Sequence, residues 1–488
     1  MNNLSRRRQA AAIAVLAGAI LVIFLTVILA VVINSAKEEQ AKESGGESLQ
    51  TEDVTLASDF DEKPSETTPE PEFREDSGLE SEAGERSNSA QDSGEELSEE
   101  ASEEDSGSAE DSGEEPETAK ESGEESGSPS KPAPETAPEP ALSQAELLLT
   151  EMSTREKVCQ LFMVFPSQVT GVSPVTKVGD LTRQGLANYP VGGFIYDKTN
   201  MVSREQVTEM LTTVQTYSKI PLILTCDEEG GRVNRLMSTV GTTYIDSMMS
   251  YRDQGPEKAA ENAETIAGDL VSCGFNADLA PVADVWSNPE NKVIGDRAYS
   301  DDFAQAATLV AAAVEGFHAG GVACTLKHFP GHGDTATDSH TGAAYVTKTL
   351  DELRSGELLS FQAGIDAGAD MVMIGHLTVT DIEDVPALFS YRIVTRLLRE
   401  EMGFDGVIIT DSLQMKAVTD SYGSGQAAVL AVQAGVDILL CPANLEEAAG
   451  ALLDAVETGV IPEERLDESV LRILRMKEEM GILQGENR

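Results

Sequence analysis

Residues 301–334 read DDFAQAATLVAAAVEGFHAGGVACTLKHFPGHGD. Four pieces follow one another: a long segment with helical spacing of apolar residues, a Gly-Gly break, a short apolar run, and a loop of charged and aromatic residues. A short apolar run that follows a glycine-ended helix reads as a strand buried on both faces, the kind found in parallel sheets. The pattern repeats. Apolar runs fall at 160–165, 193–196, 222–226, 275–280, 322–326, 371–375, 407–410 and 437–441, with helical candidates between them at 203–218, 256–273, 301–320, 350–368, 391–402 and 444–458. Eight such units predict an α/β fold, a (β/α)8 TIM-type barrel over 141–488, better than an open doubly wound sheet. A last helix at 462–480 is expected to pack outside the barrel.

In such a barrel, loops from several strand ends converge on one mouth, so residues that do chemistry should follow the apolar runs. They do. The third run leads into Asp227-Glu-Glu-Gly-Gly-Arg232-Val-Asn-Arg235, where paired glycines permit a close turn and leave acids and two arginines toward a ligand. After the fourth run a long loop ends in Gly295-Asp296-Arg297. The fifth gives Lys327-His328-Phe-Pro-Gly331-His332-Gly333-Asp334, then Asp338-Ser339-His340. The seventh ends in Thr410-Asp411-Ser412, a carboxylate placed where an apolar run meets the mouth and costly there unless it pairs or works. Four of the five histidines, His328, His332, His340 and His376, follow the fifth or sixth run. His318 lies inside a predicted helix and reads as structural. The set points to hydrolysis or group transfer on a polar substrate, with no cofactor motif.

Metal and thiol chemistry are not expected. His328 and His332 stand four apart, but Phe-Pro-Gly between them forbids the regular helix that would align them as ligands. The five cysteines form neither a disulfide framework nor a paired-cysteine metal pattern, and Cys226, Cys324 and Cys441 lie in apolar runs as small core thiols.

Ahead of the barrel the composition changes twice. From 10 to 33 every residue is apolar or small except Thr26. About 24 residues at about 1.5 Å each give about 36 Å of helix, enough to span a bilayer. Arg6, Arg7 and Arg8 precede it and Glu38 and Glu39 follow, which puts residues 1–9 in the cytoplasm and the rest outside. A cleaved signal peptide is the rival reading, but its apolar core usually runs only about 7 to 15 residues. Residues 34–140 form an acidic Ser/Glu/Pro-rich linker. Positions 37–140 hold 35 acidic against 7 basic residues, more than half of the chain's net charge of −50. Repeated Ser-Gly-Glu-Glu units and few large apolar residues predict a disordered, self-repelling spacer. No basic stripe interrupts this charge, so nucleic acid is excluded as a partner.

The runs 227–235, 327–334 with Asp338-Ser-His340, and Ile409-Thr-Asp-Ser-Leu-Gln-Met415 resemble glycoside hydrolase family three, in its NagZ-like β-N-acetylglucosaminidase branch. The likeness covers roughly 145–480. It implies a barrel, as counted above, and a retaining mechanism in which Asp411 is the nucleophile, His340 the acid/base and Asp338 its partner. It further implies that Asp227, Arg235, Arg297, Lys327 and His328 hold the sugar. Two positions depart from the family's habit: Thr341-Gly-Ala-Ala344 follows His340 where Leu and Pro are common, and Lys292 stands where Pro is common.

The expected protein is therefore a membrane-anchored, outward-facing β-N-acetylhexosaminidase acting on terminal N-acetylglucosamine of a glycan, cell-wall fragments above all. It needs no cofactor, and nothing demands more than a monomer. The alternatives are a phosphorylase using the same residues, a β-glucosidase or xylosidase of the same family, and an inactive glycan-binding barrel.

Overall fold

The computed structural model describes residues 142–335 and 344–483. The expected anchor at 10–33, the linker at 34–140 and the pair Asp338 and His340 lie outside the described residues. Among the described residues, no helix is long and apolar enough to cross a membrane.

The strands are short: β1 Phe162–Val164, β2 Gly193–Ile195, β3 Ile223–Thr225, β4 Thr325–Phe329, β5 Ala344–Val346, β6 Met371–Ile374, β7 Leu377–Val379, β8 Val407–Thr410 and β9 Leu439–Leu440. All pairings between them are parallel, in the orders β3-β2-β1-β9 and β4-β6-β8, with β5-β7 as a separate pair. Two seams join the larger sheets. On one side Ile409 bridges Ile438, and the Thr410 N–H donates to the Ile438 carbonyl at 3.0 Å. On the other, the predicted strand 275–280 forms only isolated bridges, yet its Leu279 N–H donates to Cys226 at 3.0 Å and its Ala280 carbonyl accepts from Thr325 at 2.7 Å. These bonds close a ring of eight parallel segments, consistent with a TIM-type barrel. Every residue of β1, β2, β3, β4, β6 and β8 is buried, which explains why they read as continuous apolar runs.

The helices between them follow the sequence closely at 256–273 and 301–320, observed as Pro256–Cys273 and Phe303–Gly320. These two pack so tightly that a Cβ on Gly316 would stand 2.3 Å from the Ala260 carbonyl oxygen. Elsewhere the chain departs from expectation for identifiable reasons. The run 350–368 breaks at Gly356 into Leu350–Ser355 and Leu358–Asp366, because the next residue, Glu357, turns its side chain inward to Lys348 and Ser287. The expected strand at 160–165 begins instead as the end of helix Thr154–Gln160. That helix and Gln144–Glu151 both start at a Ser-x-x-Glu capping box, at Ser143 and Ser153. The fifth apolar run is displaced to Thr325–Phe329, so that Lys327 and His328 lie within the strand.

The last helix, Glu463–Glu479, is bound to the strand-start pole of the ring through Asp437. This buried carboxylate accepts from the Arg399 guanidinium at 2.7 Å, the Ser469 hydroxyl at 2.6 Å and the Ile408 N–H at 3.0 Å, with Arg465 and Arg472 both at 3.4 Å. Further along that helix, Lys477 is fully buried and donates to Gln160 Oε1 at 2.8 Å. Burial drives its pKa from 10.5 down to about 7. Between these two values the unfolded chain binds the proton that the folded chain has released, so this residue makes stability rise with pH across that window and fall toward pH 7. Lys477→Met should raise stability at pH 6 by about 1 kcal/mol or more and flatten the rise from pH 7 to 10. Urea melts of both proteins at several pH values measure this.

Candidate active site

At the strand-end pole lies a cavity of about 760 Å³ whose walls include Asp227, Arg235, Arg297, Lys327, His328 and Asp411. Each sugar-binding residue expected from the sequence, and the expected nucleophile, thus faces one space. Asp411 follows β8 directly; its N–H donates to the Ile374 carbonyl at 2.9 Å, and one carboxylate oxygen accepts from the Ser412 N–H at 2.6 Å. Thr335, the last described residue before 344, also lines the cavity.

The floor is built on Lys327. Its ammonium is buried and reaches Asp227 at 2.8 Å and Glu229 at 2.6 Å. Burial alone would favour the neutral amine, but the two carboxylates outweigh it and hold the pKa above its ordinary value. Glu229 is buried as well and grips Arg297 through two bonds of 2.8 Å. Here burial pushes the carboxyl upward, and the Arg297 and Lys327 charges reverse that and hold it well below the carboxylate range. Arg235 completes the chain, touching Asp227 at 3.0 Å and Asp197 at 3.1 Å. Along Asp197, Arg235, Asp227, Lys327, Glu229 and Arg297 the charges alternate and cancel. Such a floor presents fixed donors and acceptors to a ligand without a net field.

The local sequence explains how one loop supplies so much. In Asp227-Glu228-Glu229-Gly230-Gly231, the first acid faces the cavity, the second turns away and accepts from the N–H groups of Leu236 at 2.7 Å and Met237 at 3.0 Å, and the third pairs with Lys327. Gly230 and Gly231 have φ of +84° and +51°, and a Cβ on Gly231 would lie 2.8 Å from the Ser247 Cα. The turn therefore demands glycine twice. Arg232, expected to face a ligand, is also in the cavity wall, but its guanidinium is committed to Asp296 at 2.9 Å and to the carbonyls of Val293 and Ile294 at 2.7 and 2.9 Å.

His328 is placed by a residue absent from the expected set. Asp284 is fully buried; Oδ2 lies 2.7 Å from His328 Nδ1 and accepts the His328 N–H at 3.1 Å, while Oδ1 accepts the His332 N–H at 2.6 Å. Burial would raise the Asp284 pKa, and the His328 ring beside it lowers it overall. A register shift between Lys327 and Phe329 in the β4–β6 pairing marks a bulge at His328. The bulge lets two consecutive side chains, Lys327 and His328, both line the cavity. His332 is buried, with Nδ1 2.7 Å from the Thr335 hydroxyl, and His376 Nε2 lies 2.8 Å from the Ser412 carbonyl oxygen. His318, read as structural, pairs with Asp370 at 2.8 Å; it lies at the end of the helix before β4 and Asp370 directly precedes β6, so the pair sits at strand starts. All five cysteines are buried and free, Cys226, Cys324 and Cys441 as expected of core thiols.

Glu229 and Asp284 are the functional residues that the sequence reading did not single out. Glu229 sits in the quoted acidic run, and its role becomes visible only once Lys327 and Arg297 arrive from other strands. Asp284 belongs to no motif. Glu229→Gln keeps the shape and removes the charge, leaving two buried cations short of one carboxylate. It should lower stability by about 2 to 4 kcal/mol and weaken substrate turnover. A shifted urea midpoint at unchanged slope is the expected signature.

Comparison with known proteins agrees with the fold. The glycosyl hydrolase family 3 N-terminal domain matches residues 153–476. A protein of Stenotrophomonas maltophilia (strain R551-3) named beta-hexosaminidase is 36% identical over 282 residues, which is 55% of this chain and 82% of that one. Beta-hexosaminidase A of Pseudoalteromonas piscicida is 34% identical over 322 residues, 60% of this chain and 54% of that one. Among solved structures, a family 3 β-N-acetylglucosaminidase from Paenibacillus superposes with a TM-score of 0.65 at 37% identity, covering 69% of this chain and 64% of that chain. This chain therefore spans little more than half the length of the Pseudoalteromonas relative and under two thirds of the Paenibacillus one. The matched span contains the whole ring of strands and every residue of the cavity, and the chain belongs to glycosyl hydrolase family 3.

Proposed function

We propose that residues 141–488 form a (β/α)8 barrel that hydrolyses terminal β-linked N-acetylglucosamine with retention of configuration. One observation carries the reading: Asp411 and the five expected sugar-binding residues line a single cavity. A neutral sugar suits a floor whose charges already cancel, since hydroxyl and amide groups can take the remaining donor and acceptor positions. The names of the relatives at 34% and 36% identity, beta-hexosaminidases, support the same substrate class.

In the proposed reaction an Asp411 oxygen attacks the anomeric carbon as the bond to the leaving oxygen breaks, and His340 gives that oxygen its proton. The glycosyl ester on Asp411 is then attacked by water. His340 takes the water's proton, the new bond forms at the anomeric carbon, and Asp411 leaves as carboxylate. Asp338 orients the imidazole and favours its charged form during the first step.

The setting belongs to the same proposal. Residues 10–33 hold the chain in a membrane, residues 34–140 keep the barrel away from it, and the substrates are N-acetylglucosamine-containing cell-wall fragments outside the cytoplasm. Support comes from Arg6, Arg7 and Arg8 on one side of the apolar run and the acidic stretch on the other.

Release of 4-nitrophenol from its N-acetyl-β-D-glucosaminide tests the activity. Asp411→Asn should cut kcat by at least about 10³-fold, and His340→Ala should slow it severely, with no dependence of the wild-type rate on phosphate. A wild-type protein that binds the sugar without turning it over, or that requires phosphate, would refute hydrolysis. Separately, the barrel should fractionate with membranes and be open to protease added to intact cells; recovery in the cytosol would refute the anchored setting.

A further inference from the structure

At the pole opposite the cavity, three side chains of different chemistry meet on rigid elements. His318 lies in the last turn of helix Phe303–Gly320, Cys324 immediately precedes β4 and Asp370 immediately precedes β6. The sheet itself brings the last two together, since Thr325 pairs with Met371 and the Met371 N–H donates to the Cys324 carbonyl at 3.0 Å. His318 Nε2 stands 2.8 Å from Asp370 Oδ2, which also accepts the Cys324 N–H at 2.8 Å. One imidazole nitrogen, one sulfur and one carboxylate oxygen lie within 4.8 Å of one another. It is the one such group of three or more His, Cys, Asp or Glu ligand atoms among the described residues.

We propose that His318, Cys324 and Asp370 form a binding site for a borderline-soft divalent cation, zinc in particular, independent of the catalytic cavity. The ligand set selects the ion. A thiolate and an imidazole favour zinc over magnesium or calcium, which take oxygen ligands almost exclusively. Charge also balances: a divalent cation with one thiolate, one carboxylate and a neutral imidazole carries no net charge, so the ion's own charge offsets the burial that otherwise opposes a thiolate at Cys324. Binding forms a metal–sulfur bond and sends the thiol proton to water, with a second proton wherever the imidazole is charged. Tetrahedral zinc holds such atoms roughly 3.3 to 3.8 Å apart, so the His318–Asp370 contact opens by about half an ångström as the ion enters. The His318 side chain is 37% exposed and supplies the entry path, while Cys324 closes the inner side. Water completes the coordination on the open side. An ion there ties the end of one helix to the starts of two strands of the ring and touches nothing in the cavity.

Cobalt(II) is the probe. Added to the chelator-treated full chain, one equivalent should give a thiolate-to-cobalt charge-transfer band in the near ultraviolet, and zinc should bleach it. The other four cysteines are buried and lie outside any such group among the described residues, so the band reports Cys324. Cys324→Ser should abolish it. His318→Gln, at a half-exposed helix end that tolerates change, should weaken cobalt binding by at least about tenfold. Zinc at one equivalent should raise the melting temperature of the wild type and leave that of His318→Gln nearly unmoved, whereas magnesium should move neither. No band at one equivalent, a band that persists in Cys324→Ser, or unchanged cobalt affinity in His318→Gln would each overturn the site.

Discussion

The structure depends most on one buried ammonium. Lys327 is almost wholly withdrawn from water, and in that environment its charge is tolerable only because Asp227 and Glu229 stand within 2.8 and 2.6 Å. Each of those acids in turn needs its own second cation, Arg235 and Arg297. Three separate stretches of the sequence, at 227–235, 297 and 327, are thus pinned by mutual electrostatic need rather than by packing. Their donors are oriented before any ligand arrives, which is the form of preorganisation that makes an active site effective.

The ring of parallel segments makes this arrangement possible by dividing the labour between its poles. Strand ends carry Asp227, Lys327, His328 and Asp411, and the loops that follow them close the cavity. Strand starts carry Asp437 with its arginines, and beside them the Lys477 amine that bonds Gln160. Those groups hold the last helix and touch no cavity residue. The cluster of His318, Cys324 and Asp370 belongs to this second pole, so an ion bound there would act on stability and not on turnover.

Much of this was legible in the sequence, and the gaps have physical causes. Val407–Thr410 and Pro256–Cys273 were readable to the residue, because an apolar run bounded by charge and a helix between Pro and Gly carry their own punctuation. The strand at 325–329 begins later than the apolar run at 322–326 suggests, since Lys327 and His328 look like loop residues until their buried partners are known. The cavity residues stand after the apolar runs in the sequence, where barrel geometry brings strand ends together, while the roles expected of them at a sugar come from the family resemblance. Glu229 could not be separated from its two acidic neighbours by composition, and Asp284, far from any motif, acts only through the histidine it holds. The cluster of His318, Cys324 and Asp370 is invisible in the sequence for a like reason: sheet pairing, not spacing, brings Asp370 beside Cys324 and within reach of His318.

In the proposed reaction Asp411 is the group that bonds to the sugar. Incubation with a fluorinated N-acetylglucosaminide that deglycosylates slowly, followed by proteolysis and mass spectrometry, tests this directly. One sugar adduct should appear on the peptide carrying Asp411 and vanish in Asp411→Asn. An adduct on another carboxylate, or turnover of the probe by the intact enzyme with no adduct at any time, would contradict it.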